Sequence, residues 1–262
     1  MPFHQLWQQQ IEEELWMGDK FTASKSALEK FYSGCPYRYV LYRQWSMKEK
    51  YMSPAMRHGI AVHKAIDSVI KKIGLNSDTP LTQAERALNW LDKKGYEVLG
   101  SEVKHLAPID NYTQVFGIID ALVREPGGRV LAIDWKTSRS LWTVTQSADG
   151  ESYYIGTKGW QGPIYLTTPY ESDIVSLQEW PTTMVYVVIT EAGGVESYEY
   201  HKNPVDDMAL ANALELMKTA EEMGNFPKNI GTYTCNDCDF KYVCHQIPGW
   251  EKYYDERKRR QS

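Results

Sequence analysis

Two runs of β-forming residues, Thr113 to Arg124 and Arg129 to Thr137, are separated only by a turn containing Pro126-Gly127-Gly128. That pattern commits the chain to an antiparallel hairpin, because short loops with glycine in the left-handed conformation connect such strands directly. If residues 126–128 form the loop, paired positions add to 254 and Asp120 falls directly opposite Asp134. Directly opposed side chains on one face have Cβ atoms about 4.5–5.5 Å apart. Two carboxylates that close repel each other unless a cation or a shared proton lies between them. The surrounding strand residues are apolar: Phe116, Ile118, Ile119, Ala121, Leu122 and Val123 on one side, Val130, Leu131, Ala132 and Ile133 on the other. Burying unpaired acids among them is unfavourable. A hard divalent cation with oxygen ligands resolves the conflict.

Strand alternation puts Lys136 on the face of Asp134 and turns Trp135 away. Two acids and a lysine on one surface can hold a metal and position a water; the same three residues can also form a buried ion pair that serves packing alone. His63 lies at the flank of an apolar helical stripe, one turn after Gly59 and one turn before Asp67. Gln161 and Tyr165 are one helical turn apart. Each of these is weak evidence when taken singly.

The rest of the chain reads as alternating helical and extended segments. Phe3, Trp7, Ile11 and Leu15 recur at four-residue intervals, as on one face of a helix. Ser26-Ala-Leu-Glu29 and Thr82-Gln-Ala-Glu85 read as capping boxes, the first opening a helix that runs towards Cys35. From Arg57 to Ile73 the pattern is helical, with Val62, Ala65, Ile66, Val69 and Ile73 on one face at about 100° per residue. Gly95 is a helix stop, and Tyr96 to Leu106 is a strand. A helix is expected to begin near Trp160, and a hairpin links Met184–Thr190 to Val195–Tyr200 through Ala192-Gly193-Gly194. Asn203-Pro204 opens a long helix that stops at Gly224, with Asp206 and Asp207 in its first turn. Tyr37, Tyr39, Tyr42 and Trp45, interleaved with Arg38 and Arg43, form one aromatic-rich segment, and Trp142 to Trp160 forms another.

With 262 residues and a net charge of −5, the chain does not suit a protein that coats nucleic acid non-specifically. A local basic groove remains compatible, because binding follows the local field. The one dense basic cluster is the tail with Lys252, Arg257, Lys258, Arg259 and Arg260, which reads as a solvated terminus. No apolar run approaches the roughly 18–20 residues of a membrane span. The N-terminus lacks a signal-peptide pattern. The expected setting is therefore cytoplasmic, or the host-cell cytoplasm for a virus-encoded chain. In that compartment disulfides are a minor use of cysteine. The four cysteines are unevenly placed, Cys35 alone and Cys235, Cys238 and Cys244 together. Four thiolates suit either an iron–sulfur cluster or tetrahedral zinc, and spacing does not separate the two.

Taken in order, Gly59-Ile-Ala-Val-His63, Gly117-Ile-Ile-Asp120, Asp134-Trp-Lys136 and Gln161-Gly-Pro-Ile-Tyr165 resemble the motif series of RecB-type nucleases of the PD-(D/E)xK superfamily. The resemblance covers roughly Ser24 to Gln246. A single early cysteine followed by a late C-x2-C-x5-C group resembles the iron–sulfur branch of that family. The CRISPR-associated adaptation nucleases and the AddB nuclease domain belong to that branch. The resemblance implies an α/β fold, with a restriction-endonuclease-like core in which helices flank a mixed central sheet. Residues 57–224 would form this core, preceded by a helical region over 1–56 that contributes one cluster cysteine. A cluster-binding region and basic tail would follow over 225–262. It also implies a 4Fe–4S cluster on Cys35, Cys235, Cys238 and Cys244, stapling distant chain regions together.

By the same resemblance, Asp120, Asp134, His63 and the backbone carbonyl of Trp135 would hold Mg²⁺ or Mn²⁺, the imidazole slightly favouring manganese. Lys136 would orient the water or the phosphate. Gln161 and Tyr165 would hold the strand or neighbouring ligands, and Glu102, on the preceding strand, stands where some relatives supply a further acid. The implied activity is DNA hydrolysis by a single-strand-preferring exonuclease, with the aromatic segments as stacking platforms. Implied partners are DNA with free ends and an integrase, a helicase or a second copy. Competing expectations are a nuclease trimming CRISPR spacer precursors beside an integrase, a DNA-end-binding protein whose site has decayed, and a zinc-stabilised interaction module.

Overall fold

The structure is a computed structural model and describes residues 20–43, 54–71, 81–142, 144–146, 152–154, 159–226, 238, 240 and 244. In chain order these form β1 (Phe21–Ser24), α1 (Lys25–Leu28) with a π turn over Glu29–Gly34, and α2 (Pro36–Arg43). Next come α3 (Pro54–Ile70), α4 (Leu81–Lys94), β2 (Glu97–Pro108), β3 (Thr113–Arg124) and β4 (Val130–Ser138). Then follow β5 (Val144–Gln146), β6 (Ser152–Tyr154), α5 (Gln161–Tyr165), a 3-10 turn over Leu177–Glu179, β7 (Thr183–Thr190), β8 (Val195–His201) and α6 (Pro204–Met223).

Among the described residues, six strands form one mixed sheet in the order β1-β3-β4-β7-β8, with β2 also paired to β3. The hairpin register is the one expected: Ala121 pairs with Ile133, Leu122 with Ala132, Val123 with Leu131 and Arg124 with Val130. Beyond it, β4 pairs in parallel with β7 from Ala132↔Met184 to Ser138↔Thr190. The β7–β8 hairpin is antiparallel and turns at Gly193, whose φ of +103° lies in the region that favours glycine.

Strand alternation sorts this sheet into two surfaces. Ala121 and Val123 of β3, Leu131, Ile133 and Trp135 of β4, and Val185, Val187 and Ile189 of β7 pack with Val62, Ala65 and Ile66 of α3 and Ala84, Ala87, Trp90 and Leu91 of α4. The Trp90 and Trp135 rings meet edge to face, with centroids 6.4 Å apart. Burying so many apolar side chains, at about 1.5–3 kcal/mol for each large one, fixes α3 and α4 on this face of the sheet. Asp134 and Lys136 alternate with Trp135 and so face the other way.

The third strand shares one edge between two partners. β2 runs along one side of β3, from Pro108↔Gln114 to Glu97↔Arg124. On the other side β1 takes Thr113–Phe116 and β4 takes Ala121–Arg124, so among the described residues Gly117–Asp120 has no strand partner there. The β2–β3 ladder also skips a step at this level: Ser101 pairs with Ala121 and Val103 with Ile119, omitting Glu102 and Asp120. Glu102 has a φ of +51°, the sole non-glycine with positive φ among the described residues. The sheet therefore opens around Asp120.

Some sequence expectations move. Ser26 and Thr82 lie inside α1 and α4 and do not precede them, so neither acts as the cap of its expected box. α3 begins at Pro54 and ends at Ile70, and Val69 is exposed while Val62, Ala65 and Ile66 carry the buried face. β1, too short to show a period, and the β5–β6 ribbon were not foreseen. The expected N-terminal stripe Phe3–Leu15, Trp45 and the basic tail lie outside the described residues.

The described chain divides into two compact units. One comprises Met1–Lys25 and Pro54–Ala211, the other Ser26–Ser53 and Asn212–Ser262. In the second unit the Phe31 and Tyr39 rings meet edge to face at 5.8 Å, and the Tyr39 hydroxyl donates to Glu221 Oε1. No helix among the described residues is long and apolar enough to cross a membrane.

Candidate active site

The opening in the sheet gathers the sequence-predicted residues of the first unit. Asp120 lies one step past the last β3–β4 pair, so the two aspartates follow the ladder and are not a pair within it. Its Oδ2 accepts the backbone N–H of Trp135 at 2.8 Å and stands 3.3 Å from Nδ1 of His63 on α3. A carboxylate thus does the work of a strand neighbour where the two strands part.

Asp134, 2% exposed, is the most buried acid among the described residues. Its Oδ1 accepts Nε2 of Gln161, and its Oδ2 lies 2.5 Å from Nζ of Lys136. That Oδ2 is ion-paired with the lysine ammonium. The lysine ammonium also donates to Gln161 Oε1 at 3.0 Å. Gln161 therefore bridges the acid and the base, which fixes the orientation of its amide: nitrogen towards the carboxylate, oxygen towards the ammonium. Lys136 also lies 5.8 Å from the centre of the Tyr186 ring.

Three glycines in the motifs have structural reasons. A Cβ at Gly117 would overlap the Tyr165 ring, and one at Gly162 would overlap the Tyr200 ring. At Gly59 it would stand 3.1 Å from Thr137 Oγ1. Gly117 is the seat on which Tyr165 rests, in the stretch of β3 that is paired with β2 alone, and this places α5 beside the opening.

Electrostatics follow from burial and from the crowding of acids. Burial pushes the Asp134 carboxyl upward, Lys136 draws it back, and Asp120 adds to the rise. Burial opposes a charge on His63, but Asp120 beside it and Asp134 beyond outweigh this and lift the imidazole to about 9. Glu102 is raised to about 7, first by burial and then by Asp120 and Asp67. Asp67 itself is occupied by Ser101 Oγ at 2.7 Å and by Lys71 at 2.9 Å. Tyr165 is held as a phenol, by burial first and then by the two aspartates.

The donor set fits a hard divalent ion. Asp134 is a buried carboxylate beside a second acid, Asp120, which itself stands beside an imidazole, and each supplies oxygen donors of the kind such an ion takes. Among the described residues no three His, Cys, Asp or Glu side chains are gathered as a ready-made metal centre. His63 and Trp135 engage Asp120, while Gln161 and Lys136 engage Asp134.

The cysteines belong to the second unit. Cys35 follows the π turn and its carbonyl accepts the N–H groups of Arg38 and Tyr39 at 2.8 and 3.3 Å. Cys35, Cys238 and Cys244 are half-buried free thiols; Cys235 lies outside the described residues. Burial pushes the Cys238 thiol up, and Cys35 and Cys244 are near enough to push it further. Of the aromatic segments, Trp142 stacks on Tyr198 with centroids 5.3 Å apart and tilts against Tyr186 at 5.4 Å.

Sequence reasoning missed His105, Trp180 and Lys202, which hold the end of α5. A lone histidine on a strand, a tryptophan in a loop and a lysine after a strand carry no motif, so nothing in the sequence marks them.

Residues 91–245 match the family described as the PD-(D/E)XK nuclease superfamily. The chain is similar in structure to a candidate exonuclease from Eubacterium rectale, with 13% identity, a TM-score of 0.53, and coverage of 90% of this chain and 93% of that one. It is also similar to an alkaline exonuclease from Laribacter hongkongensis, with 9% identity, a TM-score of 0.42, and coverage of 81% of this chain and 94% of that one. No curated protein sequence matches the chain.

Proposed function

This chain belongs to the PD-(D/E)XK nuclease superfamily, and from that premise we propose that it is a Mg²⁺- or Mn²⁺-dependent exonuclease acting on DNA, with a preference for single strands. The observation that carries the reading is the convergence of Asp120, Asp134, Lys136, Gln161 and His63 on one opening of the sheet.

In this reading Asp120, Asp134, His63 and the Trp135 carbonyl hold the ion, and Glu102 stands ready as a further acid. A divalent ion bound there would lower the pKa of an attacking water and offset charge on the scissile phosphate. Lys136, a compact point charge beside Asp134, orients the water or a phosphate oxygen. Gln161 sets the distance between Lys136 and Asp134, because its amide bonds both. Tyr165 keeps its proton and offers a hydroxyl donor next to the acids. The stacked Trp142 and Tyr198 beside Tyr186 support a platform for an unpaired base, since ring faces accept any base.

We extend the proposal to a 4Fe–4S cluster on Cys35, Cys235, Cys238 and Cys244. The three described thiols are free and within one unit, and Cys238 feels the other two, which supports the assignment. Such a cluster would supply four strong iron–thiolate bonds between chain regions 200 positions apart.

Anaerobically purified protein, incubated with end-labelled single- and double-stranded DNA and Mg²⁺ or Mn²⁺, tests the reading. Expected are a brown colour, ion-dependent loss of label from single strands and slower attack on duplex. Intact DNA under every ion would overturn the nuclease reading; a colourless preparation carrying zinc would overturn the cluster alone.

A further inference from the structure

Helix α5 is only five residues long, too short to hold its own shape in water, yet it delivers two side chains to the site. Its end is secured in an unusual way. Three successive carbonyls, those of Tyr165, Leu166 and Thr167, each accept a side-chain donor from a different part of the first unit. Trp180 Nε1 donates to Tyr165 O at 3.1 Å, Lys202 Nζ to Leu166 O at 3.2 Å, and His105 Nε2 to Thr167 O at 2.7 Å. The Tyr165 carbonyl is one that a helix C-terminus leaves without an intrahelical partner, and those of Leu166 and Thr167 belong to the residues that cap and follow the helix.

His105 is the most constrained of the three. It is fully buried on β2, paired with Gly117, the residue on which the Tyr165 ring rests. Its ring stacks on Trp180 with centroids 5.4 Å apart and approaches Tyr165 edge-on at 6.3 Å. Because a carbonyl can only accept, Nε2 carries the hydrogen. Nδ1 is then a buried acceptor that nothing among the described residues satisfies. Leaving such an atom unpaired costs roughly 1–3 kcal/mol. A phenylalanine would fill and stack there without that penalty, so packing alone does not account for a histidine.

We propose that His105 is a positioning residue: by donating to the Thr167 carbonyl it fixes, with Trp180 and Lys202, the helix that carries Gln161 and Tyr165 to Asp134 and Lys136. This rests on the nuclease reading for its catalytic consequence and on the hydrogen bonds alone for the anchoring. Loss of the donor lets α5 shift along its axis. Gln161 then loses the double bridge between carboxylate and ammonium, while DNA contacts elsewhere persist. The signature is a fall in kcat at nearly constant KM.

His105→Phe keeps the stack and removes the donor; His105→Gln keeps a donor. For the phenylalanine variant, amide exchange at Ile164 and Leu166 should quicken at least about tenfold, and kcat should fall about ten- to a hundredfold with KM within about twofold. The glutamine variant should recover most of both. Wild-type kcat or unchanged exchange in a folded His105→Phe protein overturns the proposal. Should that variant not fold, Trp180→Phe and Lys202→Met remove the other two donors and must show the same kcat-only loss, or the anchor is refuted. A wild-type protein that cleaves no DNA defeats the nuclease reading instead, and the exchange measurement still decides the anchoring.

Discussion

The Asp120 carboxylate accepts the backbone N–H of Trp135 at 2.8 Å, one step beyond the last pair of the β3–β4 ladder. A side chain thus takes over a ladder hydrogen bond at the point where the strands diverge, and the space gained is filled by Gln161 and Lys136 against Asp134.

The Gln161 bridge ranks the substitutions. Asp134→Ala removes a proposed ion ligand and should lower DNA cleavage by more than about a hundredfold, while Gln161→Ala leaves the proposed ligands and should lower it about 10–100-fold. Both proteins should give wild-type circular dichroism. Cleavage assays under a common Mn²⁺ concentration check the order; equal losses, or none for Asp134→Ala, would remove the proposed roles.

As a proposed ion ligand, His63 would link metal binding to protons. Burial works against its charge, but Asp120 and Asp134 raise it to about 9, so at neutral pH the metal-free imidazole is protonated. A ligand imidazole must be neutral, so ion binding expels that proton, and apparent affinity should rise about tenfold per pH unit up to about 9. Calorimetry at pH 7.5 in buffers of different ionisation heat should find about one proton released per ion in the wild type and about none in His63→Gln. Equal release by both proteins would take His63 out of the ion's coordination.

The hairpin and its register were readable in the sequence because two runs of β-forming residues and a Pro-Gly-Gly turn between them pointed one way. Helices α3 and α6 were legible because each presents a periodic apolar face or a proline start and glycine stop. What escaped depends on tertiary packing. The four residues Phe21–Ser24 become β1 only because β3 offers a free edge there. The motif glycines were recognised as a pattern, but their reason, the rings of Tyr165 and Tyr200, lies on other elements. His105 was invisible because its meaning rests on a carbonyl 62 positions away.

Glu102 holds a left-handed backbone within a strand, opposite the step at Asp120 that the β2–β3 ladder omits. Such a conformation disfavours any residue with a Cβ by roughly 1–2 kcal/mol. Its carboxyl, raised to about 7 by burial and by Asp120 and Asp67, also resists ionising. A raised acid contributes its stability below its unfolded value of 4.5 and loses it as pH climbs through 7. Glu102→Gly should therefore stabilise the metal-free protein by about 1 kcal/mol, more at pH 8 than at pH 5, and lower cleavage. Urea denaturation at both pH values checks the first part. A destabilised variant would mean that the strain is offset by contacts Glu102 makes.

Protonation of His105 offers a separate reading of the anchor. Burial drives this imidazole down to about 4 from 6.5, with the Thr167 carbonyl pulling up and Lys202 pushing down. Its depressed value means that the unfolded chain binds a proton the folded chain refuses. Stability from this group is thus complete above pH 6.5 and is lost as pH falls from 6.5 towards 4, where the folded ring also titrates. A shift of that size corresponds to about 3 kcal/mol. Between pH 7 and pH 4.5 the wild type should lose more unfolding free energy than His105→Gln, which has no group to titrate there. Subtracting the two urea-denaturation profiles isolates the histidine, because every other titrating group is common to both. A difference that stays flat across this interval would mean that the buried ring admits a proton as readily as the unfolded chain does, and the buried, one-sided hydrogen bonding assigned to His105 would be wrong.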